Sequence, residues 1–400
     1  MALSFLARNE VSDLCIGKPT LTPLPVSTTV SDALFALRRC FDSYLSICSS
    51  SSSSHTATSE SKSAGKVSIV DIICFLCSDS NIHSPIAALK SPVSAVSSEY
   101  LIPTVDPHSS ILEGLDLILD GGARNLIIPR RKKKNGSGGK VSEVDCCCLS
   151  QEDFVRFFLD SIGIFSSVAA QSVETLGIIN TETLAIGYND PAISAIHLLK
   201  QAALAHSAVV VVTNDGKLIG EISPSTLAFF FSGGSIENDT DVFSLPAAVA
   251  TLTAGELMAF VDCGGGNSMI PTIKERLKER NLTGMLELLE GDYDEDLISV
   301  FSSSSSGTSS SDEESPATRK SSIGRRKYSR SGSYSARMGR KSEEAIVCHR
   351  RSSLVAVMIQ ALAHRVSYVW VVEEEDYKLV GVIVFPDLLN VFREQALGLE

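Results

Sequence analysis

A hydroxyl and a carboxylate three residues apart at a strand-to-helix junction make a small polar trap. The hydroxyl lies beside the helix's first free N–H groups, where a phosphate is favoured, and the carboxylate can accept from both hydroxyls of a ribose, so the pair suits a nucleotide. The sequence carries this pair complete at Ser68-Ile-Val-Asp71, preceded by Gly65, and again at Ser150-Gln-Glu-Asp153, where Cys147 stands in place of the glycine. Two further stretches keep part of it. Gly220-Glu-Ile-Ser223 is followed by Thr226 instead of an acid, and Gly381 and Asp387 flank Val384 instead of a hydroxyl. The same Ser and Asp also serve as ordinary helix N-caps, a role that needs no ligand.

Other constellations point to packing. Cys74-Phe-Leu-Cys77 has metal or redox spacing, but it lies among Ile72, Ile73, Phe75 and Leu76 with no second pair at zinc-ribbon distance, which predicts a helix core. Cys146-Cys-Cys148 occupies the place of a buried strand. The glycine-rich stretches 136–139 and 264–266 lack the following Lys-Ser/Thr of a phosphate loop. No Ser/His/Asp set or carboxylate pair recurs, so no enzyme is expected.

The elements that position these residues repeat. Four stretches open with Ser or Asp and continue with apolar residues at helical spacing, beginning at Ser31, Ser109, Asp190 and Ser352. Apolar, largely β-branched runs follow at 44–48, 125–129, 208–212 and 368–372, short and continuous enough to be strands covered on both faces. In the third copy Asn214-Asp215-Gly216 turns the chain into a hairpin partner at 218–222. Second helices begin near Asp71, Glu152, Pro224 and Pro386. Leu34, Leu112 and Ile193 are spaced by about 80 residues and Val355 lies twice as far on, so the fourth copy contains an insert.

That insert spans about 263–343, between an opening at Thr253-Ala-Gly-Glu-Leu257, matched to Val11-Ser-Asp-Leu14, and a resumption at Glu344. Its serine run and the Ser/Arg/Gly stretch after it are too polar to build a core, and the insert reads as disordered. Smaller inserts occupy hairpin tips at 49–65 and 130–140, the second holding the basic cluster Arg130-Arg-Lys-Lys-Lys134. Net charge is −12, yet 318–341 holds nine Lys or Arg and no acid. Ser329 and Ser333 each stand three residues after an arginine there, the arrangement basophilic kinases prefer.

The repeated β-α-β-β-α order, ending in a Gly-x-x-Ser/Thr-x-x-Asp step into the second helix, resembles the CBS (cystathionine β-synthase) domain. Four copies in one chain with no catalytic domain resemble the plant CBS-domain proteins of the CBSX type, and the same repeat count occurs in the γ subunit of SNF1/AMP-activated kinases. The resemblance implies an α/β fold of four CBS repeats paired into two Bateman modules: 1–80, 91–168, 169–235 and 250–400. It further implies a non-catalytic regulatory protein that binds a protein partner, with a kinase as one class, and that AMP, ADP, ATP or S-adenosylmethionine modulates. Alternatives are an energy-sensing γ-type subunit and a ligand-free scaffold. No cofactor is required. Gly65, Ser68, Asp71, Ser150, Asp153, Gly220, Ser223 and Asp387 would hold the ligand. Arg124, His206, His364 and Arg365, just before the central strands, would face its phosphates.

Hydrophobic residues make up 44% of the chain and charged residues 20%, which supplies real cores and excludes a wholly disordered protein. No run reaches the roughly 18 apolar residues of a spanning helix. The acidic balance argues against specific nucleic-acid binding by the folded part. The first residues reach Asp13 without a secretory or transit pattern, which predicts a cytoplasmic address, or a nuclear one if the 130–134 cluster is an import signal.

Overall fold

A computed structural model describes residues 2–21, 23–39, 44–48, 64–96, 102–131, 144–233, 242–265, 268–291 and 345–398. Most of each expected insert, and with it Ser329 and Ser333, lies outside the described residues.

Helix α1 (Ala2–Arg8) and a 3-10 turn (Val11–Cys15) precede repeat 1, which comprises β1 (Leu24–Pro25), α2 (Val30–Arg39), β2 (Tyr44–Cys48), β3 (Ala64–Ser68) and α3 (Ile69–Leu76), with α4 (Pro85–Leu89) after it. Repeat 2 holds α5 (Ile111–Leu119), β4 (Asn125–Arg131), β5 (Val144–Ser150) and α6 (Gln151–Asp160), then α7 (Ser166–Ala169). Repeat 3 runs through β6 (Ala185–Gly187), α8 (Ile196–Ala205), β7 (Val209–Val212), β8 (Leu218–Ile222) and α9 (Pro224–Gly233). Four helices follow: α10 (Ser244–Thr251), α11 (Ala254–Asp262), α12 (Ile270–Glu279) and α13 (Thr283–Glu290). Repeat 4 closes the chain with β9 (Val347–Cys348), α14 (Leu354–His364), β10 (Tyr368–Val372), β11 (Leu379–Val384) and α15 (Phe385–Leu397). In repeats 1, 3 and 4 a short strand pairs in parallel with the central strand, which pairs antiparallel with its hairpin partner; in repeat 2 a single parallel bridge, Thr104 to Ile127, stands for the short strand.

The β-branched runs become central strands because both their faces are covered. Val209 and Val211 of β7 enter one hydrophobic core and Val210 the other. The first core joins repeats 1 and 3, with α3 packed on α8 and α9; the second joins repeats 2 and 4, with α6 packed on α14 and α15. Sheets make the complementary contacts within each tandem pair. Tyr44 of repeat 1 meets Cys148 of repeat 2 at 3.1 Å, and the hairpin tips of repeats 3 and 4 are bridged between Lys217 and Lys378. Each module is therefore closed by its sheets and covered by the helices of the other.

Five expectations are corrected. The first helices are capped by Thr29, Ser110 and Ser353, not by Ser31, Ser109 and Ser352, because it is the former whose hydroxyls accept from the N–H three residues on. Residues Val11–Cys15 do not pack in repeat 1: Glu10 bridges Ser110, and the 3-10 turn lies on β4, β5 and α6 of repeat 2. The same crossover recurs where Ser172 bridges Ser353. Thr253, expected to open repeat 4, instead caps α11 on repeat 3 and bridges Pro191. The insert is folded at its start, since α12 and α13 bury Ile273, Leu277, Met285 and Leu288 in the first core. Arg130 belongs to β4, not to a loop tip, and its guanidinium donates to the carbonyls of Cys15 at 3.2 Å and Lys18 at 2.9 Å.

Candidate functional site

The four motif segments superpose by strand register. Gly65 pairs with Ile47, Cys147 with Ile128, Gly220 with Val211 and Gly381 with Val371, three residues before the N-cap of the second helix in each case. Glycine at this position has a packing reason in repeat 4: a Cβ on Gly381 would lie 2.4 Å from the carbonyl oxygen of Asn180, on the strap that crosses into repeat 4.

All four junctions use the motif side chains as caps. The Ser68 N–H and hydroxyl both donate to Asp71 Oδ2, at 2.8 and 2.7 Å, and the Asp71 N–H donates to Ser68 Oγ at 3.3 Å. Ser150 and Asp153 repeat the arrangement at 2.7 and 3.0 Å. In repeat 3 the Ser223 N–H donates to Thr226 Oγ1 at 3.2 Å, and both residues are buried. In repeat 4 the Val384 N–H reaches Asp387 Oδ2 at 3.5 Å.

The caps are alike but their surroundings differ. Asp71 lines a cleft of about 360 Å³ between α3 and the start of α8, with Phe75 and Ser78 on its own wall and Ile193, His197 and Lys200 opposite. Among the described residues, Asp71 Oδ1 carries no hydrogen bond. Asp153 is already engaged, because Lys18 from the amino-terminal strap places Nζ 2.7 Å from its Oδ2. Burial raises the Asp387 carboxyl from its ordinary value, against the one lowering contribution of the Val384 N–H.

The basic residues expected before the central strands divide. Arg124 and His206, from repeats 2 and 3, come within electrostatic range of each other and of Lys66 on β3. Burial first, then the charges of Lys66 and Arg124, holds His206 down at about 3, and its Nε2 is buried with no hydrogen-bond partner among the described residues. Burial also lowers Lys66, opposed by Asp71 and reinforced by Arg124. His206 caps α8 in the left-handed region at φ 52°, and Arg365 caps α14 likewise at φ 56°. His364 and Arg365 remain exposed and outside the Lys66–Arg124–His206 group.

Cys74 of α3 and Cys77 at its C-cap are core residues, as expected. Cys74 donates to the carbonyl of Ile196 and Cys77 to that of Pro246, each at 3.5 Å, and burial pushes the Cys74 thiol up to about 12. Residues that matter to the junctions and were not singled out in sequence are Lys66, His197, Lys200 and Lys18. Lys66 lies inside the motif and its alternation on β3 was readable; the other three act across long separations that leave no local mark.

Two modules of sheet-paired β-α-β-β-α repeats, each repeat ending in a capped strand-to-helix junction, define a CBS-domain fold. The CBS domain family matches residues 174–233, repeat 3. Two proteins of Arabidopsis thaliana align over nearly the whole chain: CBS domain-containing protein CBSX5, 39% identical over 98% of each chain, and CBS domain-containing protein CBSX6, 25% identical over 99% of this chain and 95% of its own. A Methanocaldococcus jannaschii protein, proposed as an archaeal homologue of γ-AMPK, shares the fold with a TM-score of 0.54 at 14% identity, covering 96% of this chain and 99% of that one. The chain belongs to the CBS-domain proteins of the plant CBSX type. Among the described residues, no helix is long and apolar enough to cross a membrane.

Proposed function

We propose that the chain is a non-catalytic regulator that binds a partner protein and is modulated by an adenosyl nucleotide held in the cleft of repeat 1. The observation that carries this reading is the setting of Asp71: its carboxylate opens on a cleft with Lys200 and His197 opposite, whereas Asp153 is engaged by Lys18 and Asp387 is desolvated. Asp71 Oδ1 would accept from the ribose, Phe75 and Ile193 would cover the base, and Lys200 with His197 would meet the phosphates. The Ser68 hydroxyl is committed to its cap, so the anion's charge would fall to those cations. Phosphorylation of Ser329 and Ser333 would remove part of the positive charge of 318–341 and so tune docking on an acidic partner. A second reading, a ligand-free scaffold, draws support from the caps, which satisfy the helix termini without any ligand.

Calorimetric titration of the full chain with AMP, ADP, ATP and S-adenosylmethionine separates the two. Saturable heat from at least one nucleotide, weakened tenfold or more in Asp71→Ala and in Lys200→Ala, is expected. Absence of heat for all four in the wild type would leave the scaffold alone. Proteins recovered with the tagged chain, with and without the bound nucleotide, would identify the partner; a protein kinase among them would favour the γ-type alternative.

A further inference from the structure

The strap between the 3-10 turn and β1 meets repeat 2 at both of its motif positions. Lys18 takes Asp153, as described above. Three residues earlier, Cys15 sets its Sγ 2.6 Å from the Sγ of Cys147, the residue that replaces the motif glycine in this repeat alone. A disulfide bond measures about 2.05 Å, so the two sulfurs stand roughly half an ångström beyond bonding distance. The equivalent strap over repeat 4 lies against Gly381 through the Asn180 backbone, so contact between strap and this register position belongs to both modules. Only in the first does each side present a thiol.

Nearby contacts hold the strap in place. Leu21 donates its N–H to the Cys146 carbonyl at 2.8 Å, and Arg130 binds the Cys15 and Lys18 carbonyls. We propose that Cys15 and Cys147 are oxidised by hydrogen peroxide to an intramolecular disulfide that fixes residues 15–21 over the strand-to-helix junction of repeat 2. The oxidant has to be small because Cys15 is 3% exposed and Cys147 not at all. The contact with the Cys15 thiol, together with the nearby charges of Arg130 and Lys18, lowers Cys147 below the usual thiol value, which makes Cys147 the attacking sulfur of the pair.

In the first step the Cys147 thiolate attacks one peroxide oxygen and the O–O bond breaks. The products are a Cys147 sulfenic acid and hydroxide, which takes up the proton the thiol released. The Cys15 sulfur then attacks the Cys147 sulfur and displaces hydroxide, which leaves as water with the Cys15 proton. Two thiols are oxidised and one peroxide is reduced to two waters. This chemistry does not depend on whether any cleft holds a nucleotide.

The test uses the full reduced chain treated with hydrogen peroxide, then denatured, alkylated with iodoacetamide and digested without reductant for mass spectrometry. A peptide joining Cys15 to Cys147, two hydrogen masses lighter than its parts and abolished by dithiothreitol, is expected from the wild type and from neither Cys15→Ala nor Cys147→Ala. Alkylation of both residues after peroxide treatment, or linkage of Cys147 to Cys146 or Cys148 instead, would overturn the proposal. Hydrogen exchange reads the second half: amides 16–21 should exchange at least tenfold more slowly in the oxidised wild type, with no change in peroxide-treated Cys147→Ala. Equal rates before and after oxidation would show that the bond does not fix the strap. Because the other three repeats carry glycine at this register, Cys147→Gly serves as the control should alanine perturb folding.

Discussion

Trp370 donates its indole N–H to the carboxylate of Glu221 at 2.7 Å across the junction of repeats 4 and 3. Tyr368 adds its hydroxyl to the other oxygen at 2.7 Å, and Glu221 is fully buried. Replacing the acid leaves two buried donors without their acceptor, each costing about 1–3 kcal/mol. Glu221→Ala should therefore destabilise the chain by roughly 2–5 kcal/mol. Urea unfolding followed by the fluorescence of Trp370, the sole tryptophan, checks this, and a change below about 1 kcal/mol would contradict it.

Cap and ligand roles at repeat 1 separate by substitution. Ser68→Ala removes the cap hydroxyl and keeps the carboxylate, so it should lose about 1 kcal/mol of stability and leave nucleotide affinity within a few-fold. Asp71→Ala should lose a comparable amount of stability and the affinity as well. Equal affinity of the two variants, measured alongside thermal melts, would assign Asp71 to capping alone.

The linkage at His206 has a definite sign. Its folded value, about 3, lies below the ordinary 6.5, so the unfolded chain binds the proton first as pH falls. The stability this neutral imidazole contributes is intact above about pH 6.5 and is lost progressively down to about pH 3, by at most about 1.4 kcal/mol per pH unit. His206→Gln should flatten that part of the profile. Melting temperatures of both proteins between about pH 7.5 and 4.5 are the measurement, and parallel curves would refute the assignment.

Helix α13 is as much core as the repeats are. Leu288 is fully buried, and its replacement by alanine should cost about 2–5 kcal/mol. Gly284→Ala should also destabilise, since a Cβ there would lie 2.8 Å from the carbonyl oxygen of His83 and push α13 away from α4. Denaturant melts of both variants provide the check; wild-type stability in each would show that α13 is dispensable to the first core.

Much of this architecture was legible in local pattern. The β-branched runs at 44–48 and 368–372 became β2 and β10 with the expected ends, and Ser68 and Asp71 met as a hydroxyl and a carboxylate three residues apart must at a helix start. The insert's first helices were missed because the long polar stretch after them dominates the composition, although Ile273 and Leu277, then Met285 and Leu288, stand at helical spacing.

The amino-acid sequence by itself determined the four repeats, the order of elements within each and the residues at every strand-to-helix junction, because those features rest on neighbours within a few positions. Only the tertiary structure decided that repeat 1 shares a core with repeat 3 and repeat 2 with repeat 4. Four similar units carry four similar apolar faces, and nothing in their periodicity distinguishes one partner from another. The same holds for the straps. Whether Cys15 and Lys18 cover their own repeat or the next depends on the Glu10–Ser110 bridge, which ties the segment before them to the start of α5 in repeat 2, a contact made across about a hundred residues. Local spacing placed a carboxylate in each of repeats 1 and 2; the fold set Lys200 across a cleft from Asp71 and Lys18 directly on Asp153, and that difference of surroundings is what leaves one carboxylate open and the other engaged.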